Sequence, residues 1–475
     1  MDLPPQPPIS NYQPPFSAPP PPLVLPKKSS LARKIIPVIV ILVLIVVGFF
    51  ATRFFLQLSK KSQKVELTYW GLWESESIVK PLIDEYQTVH PNVKINYVFQ
   101  SPREYRERLQ TALSMSKGPD IFRIHNSWIP MFKNDLSPVP PTAYSASEFE
   151  STFYPTVRTD LRLSGNYMAI PLEIDGLAMF VNDDLLTKSG QSVPASWEDL
   201  RSAAKALSVC DSEDGTCSTG DRVLISGAAL GTTDNVDHWQ DILAVLMLQN
   251  NVNLNFPAGS SAEDALSYYT VFNRSDHIWD STLPPSTQAF ATGKLAIYFA
   301  PSWRAFDLNA INPQLKFSIH PVPQLPLDPA RGEKPVTWAS YWVEGVNKKS
   351  LNTTAAWDFL KFLSSKESLA KLYQQAVISG RAFGEPYSRT DLTSSLSSDP
   401  LVGPYISQAQ YARSWYLASD TFDGPTGINT RLSAHFATAV NSVNQGRSPT
   451  EAVKTLSTGI NQVLSQYGLA SPIAP

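Results

Sequence analysis

Apolar and polar residues alternate from Val65 onward in two rhythms, which predict strands and helices in turn. The segments VELTYW, VKINYVF and PDIFRI are short and rich in β-branched or aromatic residues, as strands are. After the first of them, apolar residues recur at the spacing of one helix face, at Ile78, Val79, Leu82, Ile83, Tyr86 and Val89. YRERLQTALSM shows a second helical pattern before the third strand. This β-α-β-α-β order predicts an α/β fold with parallel strands, whose carboxyl ends are the usual place for ligands.

The N-terminal 64 residues follow a different pattern. Eleven prolines fall within residues 1–26, so we expect residues 1–34 to form a Pro-rich disordered tail, with a docking site for a proline-reading partner as the alternative. Residues 35–51 carry no charge over seventeen positions, and further apolar residues extend this run to Leu56. No small-x-small cleavage pattern follows. The run therefore predicts an uncleaved transmembrane signal anchor at 35–56, followed by a basic linker at 57–64, rather than a cleaved signal peptide.

The charge changes sign along the chain. Residues 1–64 carry eight Lys or Arg and one acid, a net +7, whereas the remainder carries 31 basic and 41 acidic residues, a net −10. An acidic body without a Lys or Arg cluster argues against nucleic acid as a partner. Four basic residues lie on each side of the apolar run, so the positive-inside rule does not decide its orientation.

The two cysteines, Cys210 and Cys217, lie symmetrically about the acidic turn in CDSEDGTC. Across a hairpin they would face each other, so we expect a disulfide and an oxidising compartment, with two free thiols as the alternative. The acidic turn lacks the remaining ligand positions of an EF-hand loop, and the six histidines show no metal-ligand spacing. We therefore expect neither a metal ion nor a cofactor.

Several ordered blocks of the sequence resemble the extracellular solute-binding proteins of ABC importers, in the sugar-binding group that includes maltose-binding protein. The blocks are GPDIF (118–122), IPLEIDGLAMFVNDDLL (170–186), PASWEDLRSAAKAL (194–207), FATGKLAIYFAPSW (290–303) and AAWDFLKFLSSKES (355–368). The resemblance implies a two-lobed α/β fold of the type II periplasmic-binding-protein kind, with a hinge of crossing strands. The implied lobes are residues 65–176 plus 300–346 and residues 177–299 plus 347–475.

The resemblance also implies a function. The chain would capture a carbohydrate, a mono- or oligosaccharide, between its lobes and deliver it to the permease subunits of an ABC importer, without acting as an enzyme. The N-terminal helix would replace the more usual lipid anchor. It would hold the binding domain outside the plasma membrane, with the N-terminal tail in the cytoplasm.

Ten residues are candidates for ligand binding, which are Trp73, Glu74, Arg123, His125, Asn126, Asp175, Trp239, Trp303, Trp338 and Tyr341. All but Trp73 fall at family binding positions or in segments that reach the family's cleft, and Trp73 is added as an aromatic ring next to Glu74. Glu74 falls where an acidic residue of the family commonly accepts sugar hydroxyls. Asp175 and Trp303 match an acidic position and a stacking position. Asn126 falls where maltose-binding protein has an aspartate, so a charge is absent there.

These residue types suit a sugar. Aromatic rings can cover the apolar C–H face of a pyranose, while carboxylates and amides accept hydrogen bonds from its hydroxyl rim. Two alternatives stay open from the residues alone. One is an anchored extracellular glycan-adhesion or scaffold protein. The other is a glycoside hydrolase that uses Glu74 and Asp175 as its carboxylate pair, although no G-x-S-x-G, H-E-x-x-H or P-loop lysine motif is present.

Overall fold

The structure is a computed structural model that describes residues 42–50, 52–53, 64–115 and 117–470. The described residues fall into two units, one before Lys64 and one from Lys64 onward. In the first unit, residues 42–50 and 52–53 are helical and exposed. No helix within the described ranges is long and apolar enough to cross a membrane. The predicted tail at 1–34 and the remaining residues of the predicted anchor lie outside the described residues, as does the linker up to residue 63.

The second unit, which we call the body, contains strands and helices along its whole length. The strands are β1 (Val65–Gly71), β2 (Val93–Phe99), β3 (Ile121–His125), β4 (Arg162–Leu163), β5 (Asn166–Tyr167), β6 (Ile170–Pro171), β7 (Ala178–Asn182), β8 (Val209–Cys210), β9 (Val223–Ala228), β10 (Leu295–Ala300), β11 (Phe317–His320), β12 (Thr337–Trp338), β13 (Trp342–Val346) and β14 (Ala412–Arg413). The helices are α1 (Glu76–Val89), α2 (Tyr105–Ser114), α3 (Ala146–Thr152), α4 (Pro155–Asp160), α5 (Asp183–Ser189), α6 (Trp197–Leu207), α7 (Trp239–Gln249), α8 (Gly259–Arg274), α9 (Ser286–Ala291), α10 (Arg304–Ile311), α11 (Thr353–Leu363), α12 (Lys366–Ile378), α13 (Thr393–Leu396), α14 (Gly403–Gln408), α15 (Ile428–Asn444) and α16 (Pro449–Tyr467).

Two five-stranded sheets form the centres of two lobes. The first sheet has the order β2-β1-β3-β13-β6, and β1 is parallel to both of its neighbours. The second has the order β11-β7-β10-β9-β8, in which β10 is parallel to β9 and antiparallel to β7. The two-lobed α/β fold predicted from the sequence is therefore confirmed.

The first helix of the body shows how the apolar pattern becomes packing. Five of the six apolar residues that predicted α1 are buried, and the sixth, Val89 at its last position, is 72% exposed. Tyr86 of this buried face lies 5.0 Å from the ring of Phe359 in α11. On the exposed side, Lys371 of α12 pairs with Glu85 at 2.8 Å. Helices α11 and α12 thus pack on the first lobe.

This packing changes the expected division of the chain. Residues 347–475 were assigned to the second lobe, but α11 and α12 contact α1 of the first lobe, whereas α15 and α16 contact α8 of the second. Residues 300–346 were assigned to the first lobe, but β11 pairs with β7 in the second sheet. Short amphipathic segments can pack on either lobe, so their sequence pattern does not say which sheet they join.

Three segments cross between the lobes. The first runs from β6 to β7, and the second from β11 to β13. They pair at Gly176 and Ala339, where a Cβ on Gly176 would lie 1.9 Å from the carbonyl oxygen of Trp338. Glycine is thus required for this close approach. The third crossing includes β14, which pairs with β12.

The edge of the second sheet carries the two cysteines. Strand β8 ends at Cys210, and a disulfide joins this residue to Cys217 across a separation of seven residues. The Asp214 side chain between them accepts hydrogen bonds from the backbone N–H and the hydroxyl of Thr216. These hydrogen bonds lie within the acidic turn and stabilise its conformation.

Candidate functional site

A cavity of about 330 Å³ lies between the two lobes, and we call it the interlobe cavity. Its wall receives Trp73 after β1 and His125 at the end of β3 from the first lobe. Asp175 comes from the first crossing segment, and Trp303 follows β10 of the second lobe. The volume falls within the range of about 300–1,000 Å³ that is usual for small-molecule sites. Four of the residues predicted from the sequence therefore meet in one cavity.

Aromatic rings form much of the cavity wall. The lining includes Trp73, Trp303, Phe306, Trp342 and Phe422. The ring centroid of Trp73 lies 5.4 Å from that of Trp342 and 5.6 Å from that of Phe422. The guanidinium of Arg304 lies 4.3 Å from the ring centroid of Trp303, at cation–π distance. Rings held in this way present flat apolar surface at low entropic cost to a ligand.

The Asp175 carboxylate lies in this wall between neutral donors. It accepts hydrogen bonds from the backbone N–H of Gly176 at 2.8 Å and from the hydroxyl of Ser302 at 2.8 Å. Burial outweighs these bonds and raises the pKa of Asp175 to about 7. Burial also raises the pKa of the neighbouring Glu173, and the charge of Asp175 adds to this effect. The first crossing segment thus brings two carboxyl groups with raised pKa values to one side of the cavity.

A third carboxyl group, Asp241 of α7, lies in the wall on the side of the second lobe. It accepts the indole N–H of Trp338 at 2.8 Å and both the hydroxyl and the backbone N–H of Ser419. Burial raises the pKa of Asp241 to about 7. His238 lies 3.8 Å away, but burial lowers its pKa well below the usual range and leaves the ring neutral.

The raised pKa of Asp241 predicts a pH-dependent effect of Asp241→Asn on stability. Between the ordinary pKa of an aspartate and about 7, the folded state binds a proton that the unfolded state has lost. The stability that this proton contributes is present at low pH and disappears as pH rises through about 7. Asparagine has no such proton. We therefore expect the free energy of unfolding of the wild type, relative to Asp241→Asn, to fall between about pH 5 and about pH 8.

Urea unfolding of the ligand-free chain at the two pH values measures this difference. The matched control is Asp264→Asn, which changes an exposed aspartate on α8. A wild-type advantage that stays constant or grows with pH would contradict the raised pKa.

Glu74 and Arg123 lie next to the cavity but outside its lining. Arg123 is buried, and it is ion-paired both to Glu74 and to Glu344, at 2.6 Å from the latter. Burial opposes the ionisation of Glu74, but the charges of Arg123 and Arg381 and a hydrogen bond with Glu385 together outweigh it and lower the pKa of Glu74. Both residues thus take part in a buried ion-pair network beside the cavity, and their direct contact with a ligand stays a prediction.

That network connects to the cavity through Arg381. The guanidinium of Arg381 lies 3.6 Å from Glu74 and donates a hydrogen bond at 2.6 Å to the carbonyl oxygen of Trp73. Trp73 has a φ of 71°, a left-handed conformation that is uncommon for a bulky residue. Glu74 therefore acts on the cavity indirectly, because it helps to hold the residue that fixes Trp73.

Four further predicted residues lie outside the cavity lining. Asn126 and Tyr341 both donate hydrogen bonds to the partly buried carboxylate of Asp160, Tyr341 at 2.7 Å. Trp338 donates to Asp241, and Trp239 is buried in the core at 6% exposure. The polar groups of Asn126, Tyr341 and Trp338 already form hydrogen bonds within the protein, so these residues stabilise the structure around the cavity.

His125 does line the cavity, as a neutral ring. Its Nδ1 lies 2.7 Å from the hydroxyl of Ser127 and its Nε2 lies 3.0 Å from that of Ser340. Burial lowers the pKa of His125 to about 3. The ring therefore contributes polarity and hydrogen bonding to the site without a charge.

The structure does not assemble the carboxylate pair of the hydrolase alternative. Asp175 lines the cavity, whereas Glu74 is held in its ion pair with Arg123 outside the lining. Sequence reasoning missed several residues of the lining, which include Glu173, Asp241, Trp342, Arg381, Asp420 and Phe422. Glu173 lies within the block at 170–186 and Trp342 directly follows the candidate Tyr341, which was the available signal. The other four lie in segments distant from any predicted strand end.

Comparisons with known proteins agree with this geometry. Residues 81–382 match the family described as bacterial extracellular solute-binding protein. A chain of Brucella abortus (strain 2308) that is named as a binding protein is 22% identical over 301 residues, which cover 61% of this chain and 69% of that one.

Two solved structures share the fold. The sugar-binding protein of Xanthomonas citri superposes with a TM-score of 0.67 at 17% identity and covers 85% of this chain and 98% of its own. The cyclic α-maltosyl-1,6-maltose binding protein of Arthrobacter globiformis also gives a TM-score of 0.67 at 17% identity, over 85% of this chain and 99% of its own. The family and these neighbours are binding proteins rather than enzymes. The chain therefore belongs to the bacterial extracellular solute-binding protein family.

Proposed function

We propose that the chain captures a carbohydrate, a mono- or oligosaccharide, in the interlobe cavity and delivers it to the permease subunits of an ABC importer. The observation that carries this proposal is the composition of the cavity wall, which combines aromatic rings with carboxyl groups. Rings suit the apolar face of a sugar, and carboxylates accept hydrogen bonds from its hydroxyls. The names of the Xanthomonas citri and Arthrobacter globiformis neighbours, which refer to sugars, support the same ligand class.

Among the residues predicted from the sequence, we assign ligand contacts to Trp73, His125, Asp175 and Trp303, because all four line the cavity. Trp342 joins them, since its ring lies 5.4 Å from Trp73 and 5.2 Å from His125. Trp73 comes from the first lobe and Trp303 from the second. A sugar held between them would therefore contact both lobes and favour their closed arrangement.

We include the membrane anchor at 35–56 in this proposal. The described parts of that segment, residues 42–50 and 52–53, are helical, and large side chains there are exposed, with Leu44 at 64% and Phe50 at 67%. A helix that is apolar on all sides is typical of a buried or membrane-spanning segment. A body outside the plasma membrane is consistent with the Cys210–Cys217 disulfide, since disulfides persist in oxidising compartments.

A ligand panel tests the proposed function. A ligand that binds only the folded state stabilises it by about 2.7 kcal/mol at one hundred times its dissociation constant. Thermal unfolding of the full chain is measured with mono- and oligosaccharides, amino acids and short peptides. We expect a rise in the unfolding temperature with particular carbohydrates, which remain chemically intact. Stabilisation by amino acids or peptides alone, or the release of sugar products, would contradict the proposal.

A further inference from the structure

The wall of the interlobe cavity carries far more acid than base. Among the described residues that line it, six are Asp or Glu and one, Arg381, is Lys or Arg. The acids are Glu173, Asp175, Asp241, Asp307, Glu385 and Asp420. His125 adds no charge, because burial lowers its pKa to about 3. The question is which of these carboxylates already have a cationic partner in the protein.

Three of the six are next to an arginine. Arg304 pairs with Asp307 at 2.8 Å and with Asp420 at 3.4 Å. Arg381 lies 3.5 Å from Glu385. For these carboxylates the protein supplies the compensating charge, so they need none from a ligand.

The other three, Glu173, Asp175 and Asp241, accept hydrogen bonds only from neutral donors within the described body. Asp175 accepts from Gly176 and Ser302, and Asp241 accepts from Trp338 and Ser419. One oxygen of Glu173, Oε1, accepts from the backbone N–H of Trp342. The other, Oε2, is buried and has no partner among the described residues. Glu173 is only 3% exposed, so water does not replace that partner freely.

Glu173 and Asp175 also lie two positions apart in the crossing segment between β6 and β7. In extended backbone, residues at this spacing point to the same side. Both side chains line the cavity, so their carboxyl groups face one region of it. Two carboxyl groups without an ion-pair partner among the described residues, one of them with an unused acceptor oxygen, form a site suited to a group that brings both positive charge and several N–H donors.

We propose that the carbohydrate taken by this site carries a protonated amino group, which binds at Glu173 and Asp175. This inference rests on the proposed sugar-binding function and narrows its ligand class to amino sugars. The hydroxyls of a neutral sugar can form hydrogen bonds with these carboxyl groups, but they bring no positive charge that could replace the protons that burial favours on them. An ammonium group supplies a positive charge and three hydrogen-bond donors to this pair of carboxyl groups. The aromatic wall then accepts the sugar ring itself.

Matched sugars test the inference on the full chain by calorimetric titration. Each set contains a hexose, its 2-amino-2-deoxy form and the N-acetylated form, in the gluco, galacto and manno series. Measurements at about pH 7 keep most of the free amine protonated, since this is below the ordinary pKa of an amine, while Asp175, with a pKa of about 7, is partly ionised. We expect the amino sugar of the best-binding series to bind at least about tenfold more tightly than both of its neutral partners. In the variants Glu173→Gln and Asp175→Asn, we expect this ratio of affinities to fall towards one.

The outcomes separate the inference from the proposed function. Neutral sugars that bind as tightly as the amino sugar would overturn the inference and leave sugar binding intact. The same holds for an amine preference that survives both Glu173→Gln and Asp175→Asn. No binding of any carbohydrate would overturn both. Asp264→Asn, an exposed change on α8, is the control and should leave the affinity ratio unchanged.

Discussion

Replacement of Arg123 by methionine is expected to lower the free energy of unfolding by about 3–5 kcal/mol. The Arg123 side chain is 2% exposed and lies between the carboxylates of Glu74 and Glu344, which are 3% and 0% exposed. Methionine fills similar space but removes the charge, and it leaves two buried carboxylates without their cation. In the wild type, the attraction of these carboxylates to Arg123 compensates for the cost of removing them from water. The substitution removes that attraction and therefore raises the free energy of the folded state.

Denaturant unfolding of the full chain measures this effect, with Arg222→Met as the matched control. Arg222 pairs with Asp211 at 3.1 Å, but its side chain is 74% exposed. Ion pairs at the surface contribute only about 0–1 kcal/mol, so the control should lose little stability. Equal losses in the two variants would contradict the role assigned to the Glu74–Arg123–Glu344 network.

Trp303→Ala is expected to weaken carbohydrate binding by about 30-fold or more, which corresponds to about 2 kcal/mol. Trp303 lines the interlobe cavity after β10, and its ring remains partly exposed although Arg304 lies over it. Removal of the indole deletes the flat surface on which a sugar ring would pack. The measurement is the dissociation constant of the best ligand of the panel.

Trp415→Ala is the control for this prediction. Trp415 is also partly buried, but it lies outside the cavity lining, where its indole N–H donates to Asn255 at 2.8 Å. This variant should retain the wild-type affinity even if its unfolding temperature falls. A larger affinity loss in Trp415→Ala than in Trp303→Ala would place the ligand somewhere other than the interlobe cavity.

The sequence predicted those elements whose local pattern of apolar and polar residues is enough to identify them. Helix α1 shows its buried face in the periodicity of its apolar residues, and the parallel pairing of β1 with β2 and β3 follows from the alternation of strands and helices. The pattern does not show where a segment packs. Strand β11 and helices α11 and α12 have ordinary periodicity, yet the lobe that each joins depends on contacts with distant parts of the chain.

The same distinction applies to the site. Trp73, His125, Asp175 and Trp303 reach the cavity because each lies where a strand ends or the chain crosses between lobes. Glu74 follows Trp73 directly, but its side chain lies in the buried ion-pair network instead of the cavity wall. The identities of these two residues do not predict that difference. Asp241 and Arg381 come to the cavity from a helix and from a loop after a helix. Only the packing of these elements on the two lobes places them there.

The central claim is that the interlobe cavity binds a carbohydrate, and calorimetric titration of the full chain and of Trp303→Ala tests it most directly. The account predicts saturable binding of a carbohydrate at one site in the wild type, with the affinity lowered by about 30-fold or more in the variant. The claim would be contradicted if no carbohydrate gave a heat of binding, or if Trp303→Ala left the affinity unchanged.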